Sequence, residues 1–305
     1  MSDATNDPGP NLDLGSLRES WELHLRAERK SAQTLKGYRT GVQQFLKWAE
    51  GAGVTPRLDR PTVGAFMAHL LDSGAEPSTA ATRHLALRRF SAWLLEEGEI
   101  DQDELLTSRP PKIDTKITPS LTDDQLAAFV KACQGKALAD RRDEAVVRLM
   151  IETGMRAGEV TGLRIDDLDL NRGLVMVRKT KTGKGRVVPF GPHTARAIDR
   201  YLRVRRQHEM ADSKLLWLGE QGRTFGYSGL YRALIRRAEM AGIKNFHPHV
   251  LRHTAAARWL AAGGSEGGLM AVAGWTQRTM IDRYTAHTAS TRAAEEARSL
   301  NLGEL

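Results

Sequence analysis

The sequence predicts a mainly α-helical protein with a small β component, in which a helical bundle is followed by a mixed α/β domain. Three observations carry this reading. Up to Gly98, apolar residues recur at helical spacing in four runs, with no alternating β pattern between them. Residues 108–119, S-R-P-P-K-I-D-T-K-I-T-P, are Pro-rich, basic and aperiodic, and read as a linker. Beyond them, one pair of β-prone runs, L-V-M-V from Leu174 and R-V-V-P from Arg186, flanks a Gly-containing turn and predicts a hairpin. A length of 305 residues fits about two domains of roughly 100–200 residues each.

Composition narrows the class. The formal net charge is +8, which favours a polyanionic partner, most simply nucleic acid. No long uncharged apolar run is present to span a bilayer, and the acidic, polar M-S-D-A-T-N-D-P-G-P start is unlike a signal peptide. Cys133 is the single cysteine, so an internal disulfide and a cysteine-based zinc site are excluded, and a reducing cytoplasm is expected.

In order, residues 1–14 are expected to be disordered, and Ser16-Leu-Arg-Glu19 is a capping-box pattern opening a first helix with Leu17, Trp21, Leu23 and Leu25. A second helix is expected from about Ser31 to Glu50, ended by Gly51. A third starts near Pro61 and closes at Gly74, with Val63, Phe66, Met67, Leu70 and Leu71. Ser78 is expected to cap a fourth, with Leu85, Leu87, Phe90, Trp93 and Leu94, closing at Gly98. The second and fourth carry Lys30, Lys36, Arg39, Lys47, Arg83, Arg88 and Arg89, candidate phosphate contacts that singly read as solvated faces. The boundaries expected are a helical domain over 15–107, the linker 108–119, a second domain over 120–288, and a tail over 289–305.

In the second half, S-L-T-D-D-Q starts a helix, and a longer one containing Ala145, Val146, Leu149, Met150 and Ile151 ends in T-G-M-R-A-G-E. Gly154 breaks that helix, Arg156 follows, and Glu159 lies three further on. After the hairpin come two amphipathic helices over about 192–245, one bearing Tyr201 on an apolar stripe, the other containing Leu230, Leu234, Ile235 and Met240. Then F-H-P-H-V-L-R-H-T from Phe246 places His249 and Arg252 on one helix face, where an imidazole and a guanidinium fork suit a phosphate. Gly274-Trp275 and, further on, Tyr284 among Arg283, Thr285 and His287 complete the stretch; a phenol there suits nucleophilic attack on that phosphate.

The H-P-H-V-L-R-H-T box, the following G-W and the later Tyr284 resemble the active site of tyrosine site-specific recombinases, the phage integrase and Xer class. T-G-M-R-A-G-E resembles that family's first-arginine box. The resemblance spans nearly the whole chain. It implies a core-binding helical clamp followed by a tyrosine-recombinase catalytic domain. It also implies a catalytic set of Arg156, Lys181, His249, Arg252, Trp275 and Tyr284, with Glu159 and His253 orienting the site and His247 bracing the turn. In the family the hairpin carries a mobile lysine; Lys181 takes that place, with Lys179 and Lys184 near enough to compete and both candidate DNA contacts.

The chemistry implied is metal- and ATP-independent strand cleavage through a 3′-phosphotyrosyl intermediate, with no cofactor. The partners implied are double-stranded DNA crossover sites, a homotetramer in the synapse formed from free monomers, and an accessory DNA-bending or directionality factor. The tail either packs on a neighbouring protomer or frays. With only about 14 residues before the first helix, no arm-binding domain is expected, which leaves a compact integrase or a Xer-like dimer resolvase. The G-W-T-Q run departs from the G-H-S-S pattern common in Xer proteins and favours integration of a phage or mobile element. Two other readings stand beside it: a type IB topoisomerase, which relaxes supercoils with a similar residue set, and a non-catalytic DNA-binding regulator.

Overall fold

The computed structural model describes residues 12–113, 120–178 and 185–281. The chain divides into two compact units, Met1–Lys116 and Ile117–Leu305. Among the described residues no helix is long and apolar enough to cross a membrane.

Among its described residues the first unit contains four helices, α1 (Leu14–Ala27), α2 (Ala32–Ala52), α3 (Arg60–Asp72) and α4 (Pro77–Glu96). Their inner faces close over an aromatic core. Trp21 stacks on Tyr38 at 5.5 Å between centroids and meets Phe90 at 5.0 Å, and Phe45 sits edge-on to Phe66 at 5.5 Å. Offset and edge-on pairs of this kind stabilise beyond the area they bury. The approach of α2 to α4 depends on Gly41, where a Cβ would come within 2.5 Å of the Ala86 Cβ.

Helix ends differ from the expected ones at several places. α1 begins at Leu14, because the Asp13 carboxylate accepts from the backbone N–H groups of Gly15 and Ser16; Ser16 therefore lies inside the helix, and Leu14 is buried rather than disordered. α2 starts as expected, with Ser31 accepting from Thr34 N–H, but it runs through Gly51 and ends at Gly53, which holds a left-handed φ of 65°. α4 starts at Pro77, whose missing N–H costs nothing in a first turn, so Ser78 is internal. Leu23, Leu71, Leu85 and, in the second unit, Met240 follow the helical period yet point to solvent.

The second unit is mixed. α5 (Asp123–Ala132) opens on a reciprocal capping box between Thr122 and Gln125. α6 (Leu138–Thr153) is capped by Gly154, and α7 (Ala157–Thr161) follows at once. Strands β1 (Leu168–Asp169), β2 (Leu174–Val177) and β3 (Arg186–Pro189) form an antiparallel sheet in that order, with Val175 opposite Val188 and Val177 opposite Arg186. The helices α8 (Pro192–Arg205), α9 (Tyr227–Met240), α10 (Pro248–Ala261) and α11 (Glu266–Ala273) complete it. α6 is the central helix. It packs on α8 and α10, and most of its length is buried. Glu152 near its end caps α8, accepting from Gly191 N–H and Thr194 Oγ1 at 2.6 Å each. Trp217 and Phe225, in the connection between α8 and α9, belong to the core, and Trp217 donates to the Val160 carbonyl.

Candidate active site

Three sequence-distant segments meet where α6 ends: the Arg156 turn, the start of α10, and the end of α11. Glu159 organises the first. Its carboxylate accepts from Arg156 N–H at 2.9 Å and from Arg156 Nη1 at 3.1 Å, so it caps α7 and holds the Arg156 guanidinium together. Arg156 itself stays about one-third exposed.

α10 begins at Pro248, with His247 in the N-cap position and extended backbone. His249, exposed in the first turn, lies 6.3 Å from His247 between ring centroids. Arg252, one turn on, is buried. Its Nη1 donates to the Gly154 carbonyl at 2.7 Å and its Nη2 to the Ala273 carbonyl at 2.8 Å. One guanidinium thus ties the end of α6 to the end of α11 and has its plane fixed by both. Trp275 lies under it, with the guanidinium carbon 5.1 Å from the ring centre. Trp275 packs with Ala256, Leu260, Leu269, Ala273 and Ile281, and follows Gly274, the left-handed cap of α11. His253 is half-buried on α10.

The electrostatics agree with the geometry. Partial burial, then the charges of His247, Arg252 and Arg156, lower the His249 pKa below the ordinary histidine value. The imidazole is therefore neutral at pH 7, and both arginines are near enough for their field to reach it. Burial would raise the Glu159 carboxyl, but hydrogen bonds from Arg186 and the Arg156 backbone, together with both guanidinium charges, hold it below the usual carboxylate range. Two guanidiniums beside a neutral imidazole make a patch that attracts an anion and can accept a proton next to it.

Arg186 has no role among the sequence expectations, yet it belongs to the site. It opens β3, and Nη1 and Nη2 donate to the two Glu159 oxygens at 2.9 and 2.8 Å. Its Nε donates to the Val272 carbonyl at 2.7 Å. The signal was present: in R-V-V-P the two-residue alternation puts Arg186 on the same face as buried Val188, a charged residue directed inward. Gly274 is required beside it, since its φ is +64° and a Cβ would stand 2.9 Å from Arg186 Nη1.

Lys179, Lys181, Lys184 and Tyr284 lie outside the described residues, as does the tail over 289–305. Of the other four tyrosines, Tyr38 is stacked on Trp21 in the first unit. Tyr201 is buried, donating to the Leu216 carbonyl and accepting from Leu218 N–H, and burial pushes its pKa up to about 12. Tyr227 and Tyr231 stack on each other on the exposed side of α9. Cys133 is equally unsuited to attack, since burial, then Asp143, pushes its thiol up to about 12.

The candidate phosphate contacts of the first unit divide into two groups. Lys36, Lys47 and Arg89 are exposed. Arg83 donates to Gln44 at 2.6 Å, Arg88 donates to the Leu106 carbonyl at 2.8 Å, and Arg39 and Lys30 approach Glu22 and Glu28 at 3.9 and 3.4 Å. Lys30 precedes α2 and is not on it. Among the described residues no three His, Cys, Asp or Glu side chains gather as metal ligands would.

The phage integrase family model matches residues 119–291, and the model of the phage integrase N-terminal SAM-like domain matches residues 19–98. The chain belongs to this family, the tyrosine recombinases, enzymes that cleave and rejoin DNA. A relative, the tyrosine recombinase XerC of Corynebacterium glutamicum, is 31% identical over 268 residues, covering 87% of this chain and 85% of its own. The fold is shared with the Tn1549 transposon integrase solved with circular intermediate DNA, at a TM-score of 0.71 and 20% identity, covering 92% of this chain and 98% of that one. It is shared too with the lambda integrase tetramer bound to a Holliday junction, at a TM-score of 0.68 and 17% identity, covering 91% and 83%.

Proposed function

We propose that this chain is a site-specific recombinase that cuts and rejoins duplex DNA through a 3′-phosphotyrosyl intermediate, with Tyr284 as nucleophile. The observation that carries the reading is the gathering of Arg156, His249 and Arg252 around the end of α6, with Arg252 fixed by two carbonyls. In this reading the two guanidiniums hold the non-bridging oxygens as charge develops there. Tyr284 attacks phosphorus in line with the leaving 5′ oxygen. A phenol with a pKa of about 10 needs help to lose its proton, and neutral His249 takes it. Lys181, with Lys179 and Lys184 as the competing lysines, returns a proton to the leaving hydroxyl. Trp275 packs under Arg252 and positions it. The intermediate keeps the energy of the broken phosphodiester, so religation needs neither ATP nor a metal.

The first unit, bounded at about residues 15–107, then acts as the DNA clamp through Lys30, Lys36, Arg39, Lys47, Arg83, Arg88 and Arg89. Residues 108–119 act as the strap between it and a catalytic domain over 120–288. Four protomers assemble on two duplexes, as the lambda integrase does on its junction. Acting on chromosomal DNA would place the enzyme in the cytoplasm. XerC-like relatives favour resolution of chromosome or plasmid dimers as its biological use. Integration of a mobile element is the second reading, favoured by the G-W-T-Q run.

A suicide substrate carrying the native site, nicked beside the crossover, tests the chemistry. Wild type is expected to give a covalent protein–DNA band on a denaturing gel and Tyr284→Phe none. A band in both variants would reassign the nucleophile. No band in either, on DNA that the protein binds, would leave a DNA-binding regulator. Relaxation of a plasmid without any such site would favour a type IB topoisomerase.

A further inference from the structure

We infer that Arg186 is a positioning residue for the cleavage reaction. It acts through Glu159 to fix the Arg156 guanidinium, and through the Val272 carbonyl to fix the segment that leads to Trp275. The inference rests on the recombinase reading above.

Glu159 is the shared acceptor of two arginines. Each of its oxygens takes one donor from Arg186, at 2.8 and 2.9 Å, and one from Arg156, at 2.9 and 3.1 Å. The Arg186 and Glu159 side chains are 10% and 7% exposed, while Arg156 is 35% exposed. The inner arginine therefore fixes the carboxylate, and the carboxylate fixes the outer arginine. A lone Glu159–Arg156 pair at that exposure would leave the guanidinium free to swing. A bidentate fork removes that freedom, because it sets the carboxylate plane as well as its position.

The second contact widens the role. Arg186 Nε holds the Val272 carbonyl and Arg252 Nη2 holds the Ala273 carbonyl, two consecutive acceptors in the last turn of α11. Two cations at a helix C-terminus favour the local dipole and satisfy carbonyls that the helix leaves unbonded. Arg156 and the exit of α11 are thus referenced to one another through Arg186, while Arg252 references the same exit to Gly154. Arg186 makes no step of the chemistry; it sets the distance between groups that do.

Single-turnover cleavage of the suicide substrate at saturating DNA tests this, with the DNA dissociation constant measured separately. Arg186→Met is expected to slow covalent adduct formation about 100-fold, the order expected for an ångström of misplacement, while binding changes less than about threefold. Arg186→Lys, which keeps the charge and loses the fork, is expected to recover only part of the rate. The double variant Arg186→Met with Glu159→Gln is expected to be no slower than the slower single variant, since both break one relay. Additive losses would overturn the inference, and so would a wild-type rate in Arg186→Met or a loss of rate matched by the loss of binding. If Arg186→Met does not fold, Glu159→Gln alone decides: an unchanged rate rejects the relay. A Tyr284-dependent adduct in wild type with unaffected variants removes this inference alone, whereas no adduct in wild type removes both it and the reading beneath it.

Discussion

The two units fill their interiors with different chemistry. Among the described residues of the first, the buried polar side chains are His84, Ser91 and Asp103, and the core is otherwise rings and aliphatics around Trp21, Phe45, Phe66 and Phe90. In the second, Arg142, Asp143, Glu144, Asp167, Arg205, Arg237 and Arg252 are all buried. Arg142 and Arg237 share the Asp143 carboxylate, and Arg142 lies 3.8 Å over the Phe225 ring. Arg205 donates to four carbonyls, Ala211, Ser213, Leu215 and Leu216, and so shapes the turn after α8. Apolar packing is non-directional and tolerates small slips. Hydrogen-bonded buried charges accept one geometry and penalise others heavily. The directional interior lies in the unit that holds Arg156 and Arg252, the two guanidiniums of the candidate site.

That contrast breaks first at Arg205. Arg205→Met keeps much of the volume but takes the donor from the Ala211, Ser213 and Leu215 carbonyls. The expected loss is about 3–5 kcal/mol in chemical denaturation, with hydrogen exchange accelerated between α8 and α9. A loss under about 1 kcal/mol would mean that water replaces the guanidinium and that the buried cations are passive filling. The matching change in the first unit is Phe45→Leu, in a core where packing carries the stability. It is expected to cost about 1.5 kcal/mol with unchanged cooperativity. A larger cost than that of Arg205→Met would reverse the contrast.

The legibility of the sequence followed the same line. Local patterns are readable where the partners are close in the chain and no second signal competes. Thr122 with Gln125 and Ser31 with Thr34 are caps spaced three apart, and the helical period alone puts Tyr201 on a packed stripe. Errors arose where two local signals competed. Asp13 and Ser16 both suit a cap, and the earlier one took the helix; Pro77 outranked Ser78; Gly53 rather than Gly51 took the left-handed end. At the site, the Arg156–Glu159 and His249–Arg252 spacings could be read because each lies within one helical turn. Arg186 could not be assigned a partner, since Glu159 is 27 positions away and Val272 86 positions away. The Arg205 clamp escaped for another reason: its acceptors are backbone carbonyls, which leave no trace in residue identity.

A finer probe is a buried polar link of the first unit, between Ser91 and Asp103. Ser91 Oγ donates to Asp103 at 2.6 Å, and that carboxylate also accepts from Leu105 N–H, which fixes the chain after α4. Ser91→Ala is expected to cost about 1 kcal/mol in the same denaturation measurement, the net worth of one hydrogen bond whose acceptor keeps a second donor. A cost like that of Arg205→Met would mean that the first unit, too, depends on directional contacts.

The smallest effect expected is also the one that links the interior to function. The folded pKa of His249 lies below its unfolded value, for reasons of partial burial and of the His247, Arg252 and Arg156 charges. Its contribution to stability is therefore complete above the ordinary histidine value of about 6.5 and is lost as pH falls through the lower folded value. If the proposed function holds, a DNA phosphate seated between Arg156 and Arg252 reverses the sign, because it brings a negative charge beside the imidazole. Binding should then take up part of a proton, and affinity for the site should rise a few-fold as pH falls from 7.5 to about 6. Titration calorimetry in two buffers of different ionisation enthalpy measures that uptake, and His249→Gln should abolish it. Proton release on binding, or uptake that persists in His249→Gln, would show that the phosphate does not sit beside this imidazole. The rigid arginine pair would then be holding an anion elsewhere on the unit.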